Sequence, residues 1–495
     1  MIVFLILLLS GCKVGPNYTR PCVLTPVKFK EAPKGWKFSK PRDECDRGKW
    51  WQIFHDPELN RLEARLNISN QNILNAAANY RQALALVDEA RAAYFPTLTG
   101  SANVQRQKSV IGAGGGSATS STINSTTGTT TTITGTTPGA TFTNTHGWLL
   151  NGSWEPDLWG SVARSVEASQ AGAQSSAALL ALTRLSAQAS LAQFYFELRY
   201  ADIDQSILDR IVSNNKKILK LTQNEYRAGT VSRSDVIQAQ TQLETSEAQA
   251  INNGIVRAQY EHAIAVLIGE PPAFLCMRKN TIQAIAPTVP AAIPSDLLER
   301  RPDIAQAERL MAQANANIGV AIAAFYPSLT FTGTASFTQT GFNRWFSYPG
   351  ISWILGAQAA ETFLDGGLRC ATVAAARASY EASVASYRQV VFTAFQDVED
   401  NLASVRILKK ESVVQNQAAA DAEHALRLVL NQYRAGTVPF ASVIIAETTA
   451  NNAEKSAADV QGLRLTSTVG LIKALGGCWS TSQLSGNQCK PIFAN

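Results

Sequence analysis

Charge is scarce in this chain: only 17% of its 495 residues are Asp, Glu, Lys or Arg, and the formal net charge is +6. No dense Lys/Arg run with interleaved aromatics occurs, which argues against a nucleic-acid partner. The four histidines (His55, His146, His262, His424) are scattered, and the spacings of the seven cysteines fit no zinc pattern, so no metal and no cofactor is expected. No run of 18 apolar residues is present beyond the N-terminus, so no transmembrane helix is expected. If the chain enters a membrane by more than a lipid, it must do so as a β-barrel. Gly112-Ala113-Gly114-Gly115-Gly116 lacks the Lys-Ser/Thr and the helix of a phosphate loop, and no Ser/His/Asp-type local motif occurs. Enzyme chemistry is therefore not expected.

The apolar content, 45%, is ample for a large buried surface. Met1 to Leu9 are almost wholly apolar and lead into Leu9-Ser10-Gly11-Cys12, which has the look of a bacterial lipoprotein signal. Residues 1–11 read as that signal, and Cys12 as the lipidated, palmitate-bearing N-terminus of the mature chain. No Lys or Arg precedes the apolar run, which points to a start codon further upstream. Lys13, following the Cys, is compatible with sorting to the outer membrane. In an oxidising periplasm Cys478 and Cys489 are placed to close a short loop, and Cys22 to meet Cys45.

The strongest signal is an internal duplication. Tyr226-Arg227-Ala228-Gly229-Thr230-Val231 returns as Tyr433-Arg434-Ala435-Gly436-Thr437-Val438, an offset of 207 residues (226 to 433). Gly160 lies 66 residues before Tyr226 and Gly367 lies 66 before Tyr433, while Leu267-Ile268-Gly269 maps onto Ala474-Leu475-Gly476 at the same offset. Ahead of the glycines, Ala92-Ala93-Tyr94-Phe95-Pro96 matches Ala323-Ala324-Phe325-Tyr326-Pro327 at an offset of 231, so the first half carries an insertion of 24 residues (231 against 207). A repeat of this length sets the architecture before any one residue is considered.

Residues 12–56 form a Pro-rich extended arm. Asp56 is a good N-cap and Pro57 a good first helical residue, so a helix is expected from there to about Tyr94, with Ile73, Leu84, Val87 and Ala90 on a partial apolar face. After Pro96 the period falls to two: Leu98, Gly100, Ala102 and Val104 alternate with Thr99, Ser101, Asn103 and Gln105. The partner strand runs from about Gly147 to Trp154, so the hairpin occupies 97–154, with a Gly/Ser/Thr-rich loop inside it. In the second half Leu329, Phe331, Gly333, Ala335 and Phe337 alternate with Thr and Ser, and the hairpin occupies 328–358. That alternation is long enough for a tilted membrane strand, for which about 9–11 residues suffice.

The 66-residue approaches contain no Pro, and at about 1.5 Å per residue each makes a helix of about 100 Å, with Ile203, Ile207, Ile211, Ile218 and Leu221 on one coiled-coil stripe. The first repeat thus spans 57–269 with a tip near 226–232, and the second spans 302–476 with a tip near 433–439. A Pro-rich linker, 270–301, and a tail, 477–495, form a belt around the rods. Four strands are too few to close a membrane barrel, and open strand edges in lipid are prohibitively costly. The expected fold is mainly α with a transmembrane β part, and the chain must oligomerise.

At this point the sequence resembles the outer membrane efflux protein (TolC-like) family, in its lipoprotein branch serving resistance-nodulation-division pumps. The resemblance rests on Gly11 to Tyr18, Trp50 to Leu59, Leu298-Glu299-Arg300-Arg301-Pro302-Asp303-Ile304 with Glu308, Tyr326-Pro327-Ser328-Leu329 and Leu364-Asp365-Gly366-Gly367. It implies a homotrimer with a twelve-stranded barrel and a helical periplasmic tunnel. It also implies a periplasmic adaptor (membrane fusion) protein and an inner-membrane pump as partners. The residues it places at the adaptor-facing tips are Tyr226, Arg227, Gly229, Thr230, Val231 and Ser232, then Tyr433, Arg434, Gly436, Thr437 and Val438. Relatives carry an Asp in the helix after the second tip; here that stretch is Phe440 to Glu447 with no Asp, so Val443 and Ile445 are the candidates for an apolar constriction. Two alternatives stay open: a channel for protein secretion on the same fold, and a periplasm-spanning structural lipoprotein without a pore.

Overall fold

In a computed structural model, the described residues are 13–23, 25–26, 28–31, 49–110, 140–280, 287, 300–339 and 351–477. The signal segment, Cys12, Cys45, Cys478, Cys489, most of the 270–301 linker and the tail from 478 lie outside them. The contacts divide the chain into two units, one built from residues 1–15, 89–165 and 319–373, the other from 16–88, 166–318 and 374–495.

The first unit is organised on one antiparallel sheet in the order β1 (Thr97–Val110), β2 (Ala140–Trp154), β3 (Ser328–Gln339) and β4 (Ile351–Ala360). The β1–β2 pair is longer than the alternation alone indicates: Val110 pairs with Ala140. Because opposite residues share a face, the register sorts side chains cleanly. Leu98, Gly100 and Ala102 fall with Gly152, Leu150 and Trp148, then with Gly333, Ala335 and Phe337, then with Leu355, Trp353 and Ile351, while Val104 on the same face meets the polar pair His146 and Gln339. Thr97, Thr99 and Ser101 fall on the other face with Ser153 and Asn151, followed by Thr332, Thr334 and Ser336. Leu149 and Ile354 are the apolar exceptions there. At the strand roots Trp154 stacks on Phe331 and Trp159 on Tyr326, with centroids 5.9 and 4.8 Å apart, and the two indoles donate to the carbonyls of Tyr94 and Pro327. The start of the arm is held in this unit by Arg164, whose buried guanidinium donates to the carbonyls of Val14 and Gly15 at 3.0 Å.

The second unit is helical. The expected helix from Pro57 to Tyr94 is two helices, α1 (Pro57–Ser69) and α2 (Gln71–Ala92). Asn70 breaks it: with ψ of 120° it takes an extended conformation, and its Oδ1 accepts from Ile73 N at 3.0 Å as a new N-cap. Asp56 caps α1 as expected, accepting from Glu58 N and Leu59 N. Leu59, Leu62 and Leu66 on α1 are fully buried with Trp50, Trp51 and Phe54, against Tyr195, Phe196, Ile264 and Val469. Each such leucine stabilises the fold by about 1.5–3 kcal/mol. On α2, Ile73 and Val87 are buried while Leu84 is exposed, so the apolar face is narrower than its sequence pattern.

Two long hairpins complete the unit: α3 (Ser161–Arg227) with α4 (Arg233–Leu267), and α6 (Leu368–Arg434) with α7 (Phe440–Ala474). Between them, α5 (Pro302–Ala323) is the counterpart of α2. Of the isoleucine stripe on α3, Ile207 and Ile211 are buried with Leu208, whereas Leu221 is exposed. The arm from Pro16 continues along the second repeat: Arg20 Nε donates to Tyr387 Oη at 3.1 Å, and Lys30 N and Glu31 N both donate to the Glu399 carboxylate. Cys22 on this arm carries an exposed thiol, and Cys45, with which a pairing is expected, lies outside the described residues.

The duplication holds down to single contacts. Gly269 and Gly476 both take positive φ, and a Cβ on either would lie 2.2 Å from a backbone oxygen, that of Ser69 in one repeat and of Arg300 in the other. Residue 300 is 69 shifted by 231, as 476 is 269 shifted by 207. The next residues do the same work with different chemistry. Asn70 Nδ2 donates to Leu267 O at 2.6 Å, and Arg301 Nη1 donates to Ala474 O at 3.0 Å.

Candidate functional site: the paired helical tips

Each tip is a helix end built by its own six residues. Thr230 N donates to Glu225 O and Gly229 N to Tyr226 O, both at 3.0 Å; in the second copy Thr437 N donates to Gln432 O at 3.0 Å and Gly436 N to Tyr433 O at 2.8 Å. This pair of bonds is the Schellman closure of a helix, and it needs a left-handed residue between them. Gly229 and Gly436 supply it, with φ of 76° and 72°. The threonines add a second bond to the same carbonyl, Oγ1 to oxygen 2.9 Å in both copies. Arg227 and Arg434 close the last helical turns, where a cation suits the helix dipole, and both are exposed. Val231 and Val438 are half-buried.

Beyond the shared six residues the copies diverge. Ser232 and Asp235 form a reciprocal capping box at the start of α4, with Asp235 Oδ2 accepting from Ser232 N at 3.0 Å. Pro439 holds the same place before α7 and offers no side-chain cap. Tyr226 is exposed, whereas Tyr433 packs its ring 5.6 Å from Phe440 and donates its hydroxyl to Glu225 Oε2 at 2.5 Å. Burial and the Glu225 carboxylate push the Tyr433 hydroxyl pKa well up. The two tips are thereby tied to each other through one hydrogen bond.

The two candidates for a constriction separate. Val443 is 1% exposed and packs with Phe440 and Ala239 in the interior of the helical bundle. Ile445 is 68% exposed. With Ile237, Ile444, Ala441 and Thr241 it lines a groove of about 400 Å³ between the first turns of α4 and α7. Ile237 and Ile444 are equivalent positions of the two repeats.

Two turns along α7 lies a residue with no equivalent in the first copy, since Glu447 stands where the repeat has Gln240. Its carboxyl is 4% exposed, and burial raises its pKa to about 7. In the amide orientation that satisfies its neighbours, Asn215 donates to both Glu447 oxygens at 2.7 and 3.0 Å and accepts from Ser246 Oγ at 3.2 Å. Glu225 and Glu447 were absent from the sequence-predicted site residues. The only sequence sign of Glu447 was a lone acid in an apolar stretch. Among the described residues no group of His, Cys, Asp and Glu could hold a metal ion, and no helix is long and apolar enough to cross a membrane.

Similarity to known proteins agrees with this geometry. The chain is 27% identical to the probable efflux pump outer membrane protein TtgC of Pseudomonas putida, over 97% of this chain and 96% of that one. It is 29% identical to the pyoverdine export outer membrane protein OpmQ of Pseudomonas aeruginosa, over 91% and 92%. The crystal structure of the open state of the Neisseria gonorrhoeae MtrE outer membrane channel superposes with a TM-score of 0.78 at 27% identity, covering 95% of this chain and 99% of that one. The family model described as outer membrane efflux protein matches residues 64–270 and 293–477, and the chain belongs to that family of outer-membrane efflux channels.

Proposed function

We propose that three copies of this chain close one twelve-stranded barrel and one helical tunnel, forming the exit duct of a tripartite efflux pump. The observation that carries the reading is the four-stranded sheet. Its outer strands β1 and β4 each have one partner strand, and every residue of β4 is exposed. In lipid such edges demand closure by further strands, and copies of the same chain are the economical source. Phe363 and Leu364, three and four residues past the end of β4, are 92% and 90% exposed, apolar surface that a neighbouring copy would cover. The Thr/Ser face then lines a hydrated lumen and the Leu/Trp/Phe face meets lipid.

The tips receive a periplasmic adaptor, and an inner-membrane pump of the resistance-nodulation-division class supplies the energy. Arg227, Arg233, Arg434, Tyr226 and the groove around Ile237 and Ile445 are the exposed surface on offer. Cys12 carries the lipid. The cargo consists of small molecules, in keeping with the names of the similar proteins. The chain makes and breaks no bond; it conducts passively. Deleting the gene and profiling susceptibility to dyes, detergents and antibiotics tests this. Sensitisation with intracellular accumulation of the compound is expected. A deletion strain that accumulates nothing, and instead fails to release a protein, would favour the secretion channel.

A further inference from the structure

We propose that the loop end of the β1–β2 hairpin carries, on its lipid-facing side, a binding site for phosphate-bearing lipid headgroups of net negative charge, formed by Arg106 and Lys108 around Phe142. The hairpins 97–154 and 328–360 contain no Asp or Glu. The only charged side chains on the described strands are Arg106 and Lys108. Both are exposed, and both project from the face that holds Leu98, Gly100, Ala102 and Val104. They converge on one ring: the Arg106 guanidinium lies 5.2 Å from the Phe142 centroid and the Lys108 ammonium 5.6 Å. Lys108 pairs directly across the sheet with Phe142, and Arg106 with Asn144.

Two cations gathered around one aromatic ring repel each other, and the aromatic quadrupole offsets that only in part. No carboxylate on either hairpin is available to neutralise them, so the compensating anion comes from the surroundings. Their height identifies the surroundings. Arg106 is eight residues beyond Leu98 on β1. At about 3.4 Å per residue, and with the tilt of a barrel strand, that is about 20 Å along the membrane normal, close to the roughly 25 Å apolar band of such barrels. The cations therefore emerge from the apolar band at headgroup level. Phosphate groups are the anions there, and both side chains donate charge-assisted hydrogen bonds to phosphate. Phe142 is an apolar ring at the level where such barrels carry their aromatic girdle. The site rests on the barrel reading given above, through which the apolar face is the one turned to lipid.

The test uses the full-length channel reconstituted in phosphatidylcholine vesicles, with spin-labelled phosphatidylglycerol or spin-labelled phosphatidylcholine as probe. The wild-type protein is expected to immobilise phosphatidylglycerol with a several-fold preference, and the Arg106→Gln/Lys108→Gln variant to fall to near parity. Adding Gln105→Lys and Gln107→Lys to that variant restores the charge on the opposite face and is expected to leave the preference lost. Single-channel conductance of each variant separates this proposal from the barrel reading: it should persist when the lipid preference is gone. If the double variant fails to insert, each single variant is expected to lose part of the preference. Parity in the wild type, an undiminished preference in the variants, or restoration by the opposite-face lysines would each overturn the site.

Discussion

Tyr433 Oη donates to Glu225 Oε2 at 2.5 Å, joining the last turn of α6 to the last turn of α3. The two residues come from different repeats, and Tyr226, the repeat-equivalent of Tyr433, makes no such bond and stays exposed. A hydrogen bond to a charged acceptor is worth about 1.5–3 kcal/mol, towards the lower end at a partly exposed site. Tyr433→Phe keeps the ring against Phe440 and removes only this link. In planar bilayers it should raise open probability, and Tyr226→Phe should not. Equal behaviour of the two variants would remove the tie from any role in holding the tips closed.

Glu447 gives a pH dependence whose sign follows from burial. Its pKa in the folded protein is about 7, above the unfolded value near 4.5. Below about pH 4.5 both states are protonated and there is no penalty. Between about 4.5 and 7 the unfolded chain sheds its proton and the folded one does not, so stability falls as pH rises. By pH 8 the cost is at most about 3 kcal/mol on the scale of about 1.4 kcal/mol per pKa unit, and the two hydrogen bonds from Asn215, which favour the charged carboxylate, reduce it. Glu447→Gln should therefore raise Tm at pH 8 and leave it nearly unchanged at pH 4.5. A variant that destabilises equally at both values would contradict this.

The glycines separate into two kinds. At Gly229 and Gly436 an added Cβ meets nothing within 4 Å, so alanine there costs only the left-handed strain, about 1 kcal/mol. At Gly269 and Gly476 the Cβ would collide with backbone oxygen at 2.2 Å, which no rotamer change relieves. Thermal melts of the four alanine variants should show small shifts for the first pair and loss of the folded protein for the second.

Ile445 is the exposed apolar candidate for a constriction. Ile445→Ala should increase single-channel conductance, and Val443→Ala, which opens a cavity inside the bundle, should lower stability by about 1–3 kcal/mol without that increase. Unchanged conductance of Ile445→Ala would remove it from the pore.

Much of the fold was legible because the chain states it twice. The repeated Tyr-Arg-Ala-Gly-Thr-Val placed both tips, and the Gly-to-Tyr spacing gave the length of both long helices to within a residue at each end. The break at Asn70 is hidden because its neighbours continue the helical pattern; its local cap on Ile73 N is joined by a tertiary bond to Leu267 O that the sequence does not display. Val443 and Ile445 differ in burial although both are apolar and two residues apart. Neighbouring apolar residues on one helix point to different sides, and periodicity alone did not say which side was interior. Glu225 was invisible because its partner lies 208 residues away.

Pore formation by this chain is open to direct measurement. Purified full-length protein in a planar bilayer, at a concentration where cross-linking shows trimers, should produce discrete conductance steps, with a higher open probability after Tyr433→Phe. A trimer that inserts into the bilayer and yields no conductance, in the wild type and in Tyr433→Phe and Ile445→Ala alike, would contradict the account.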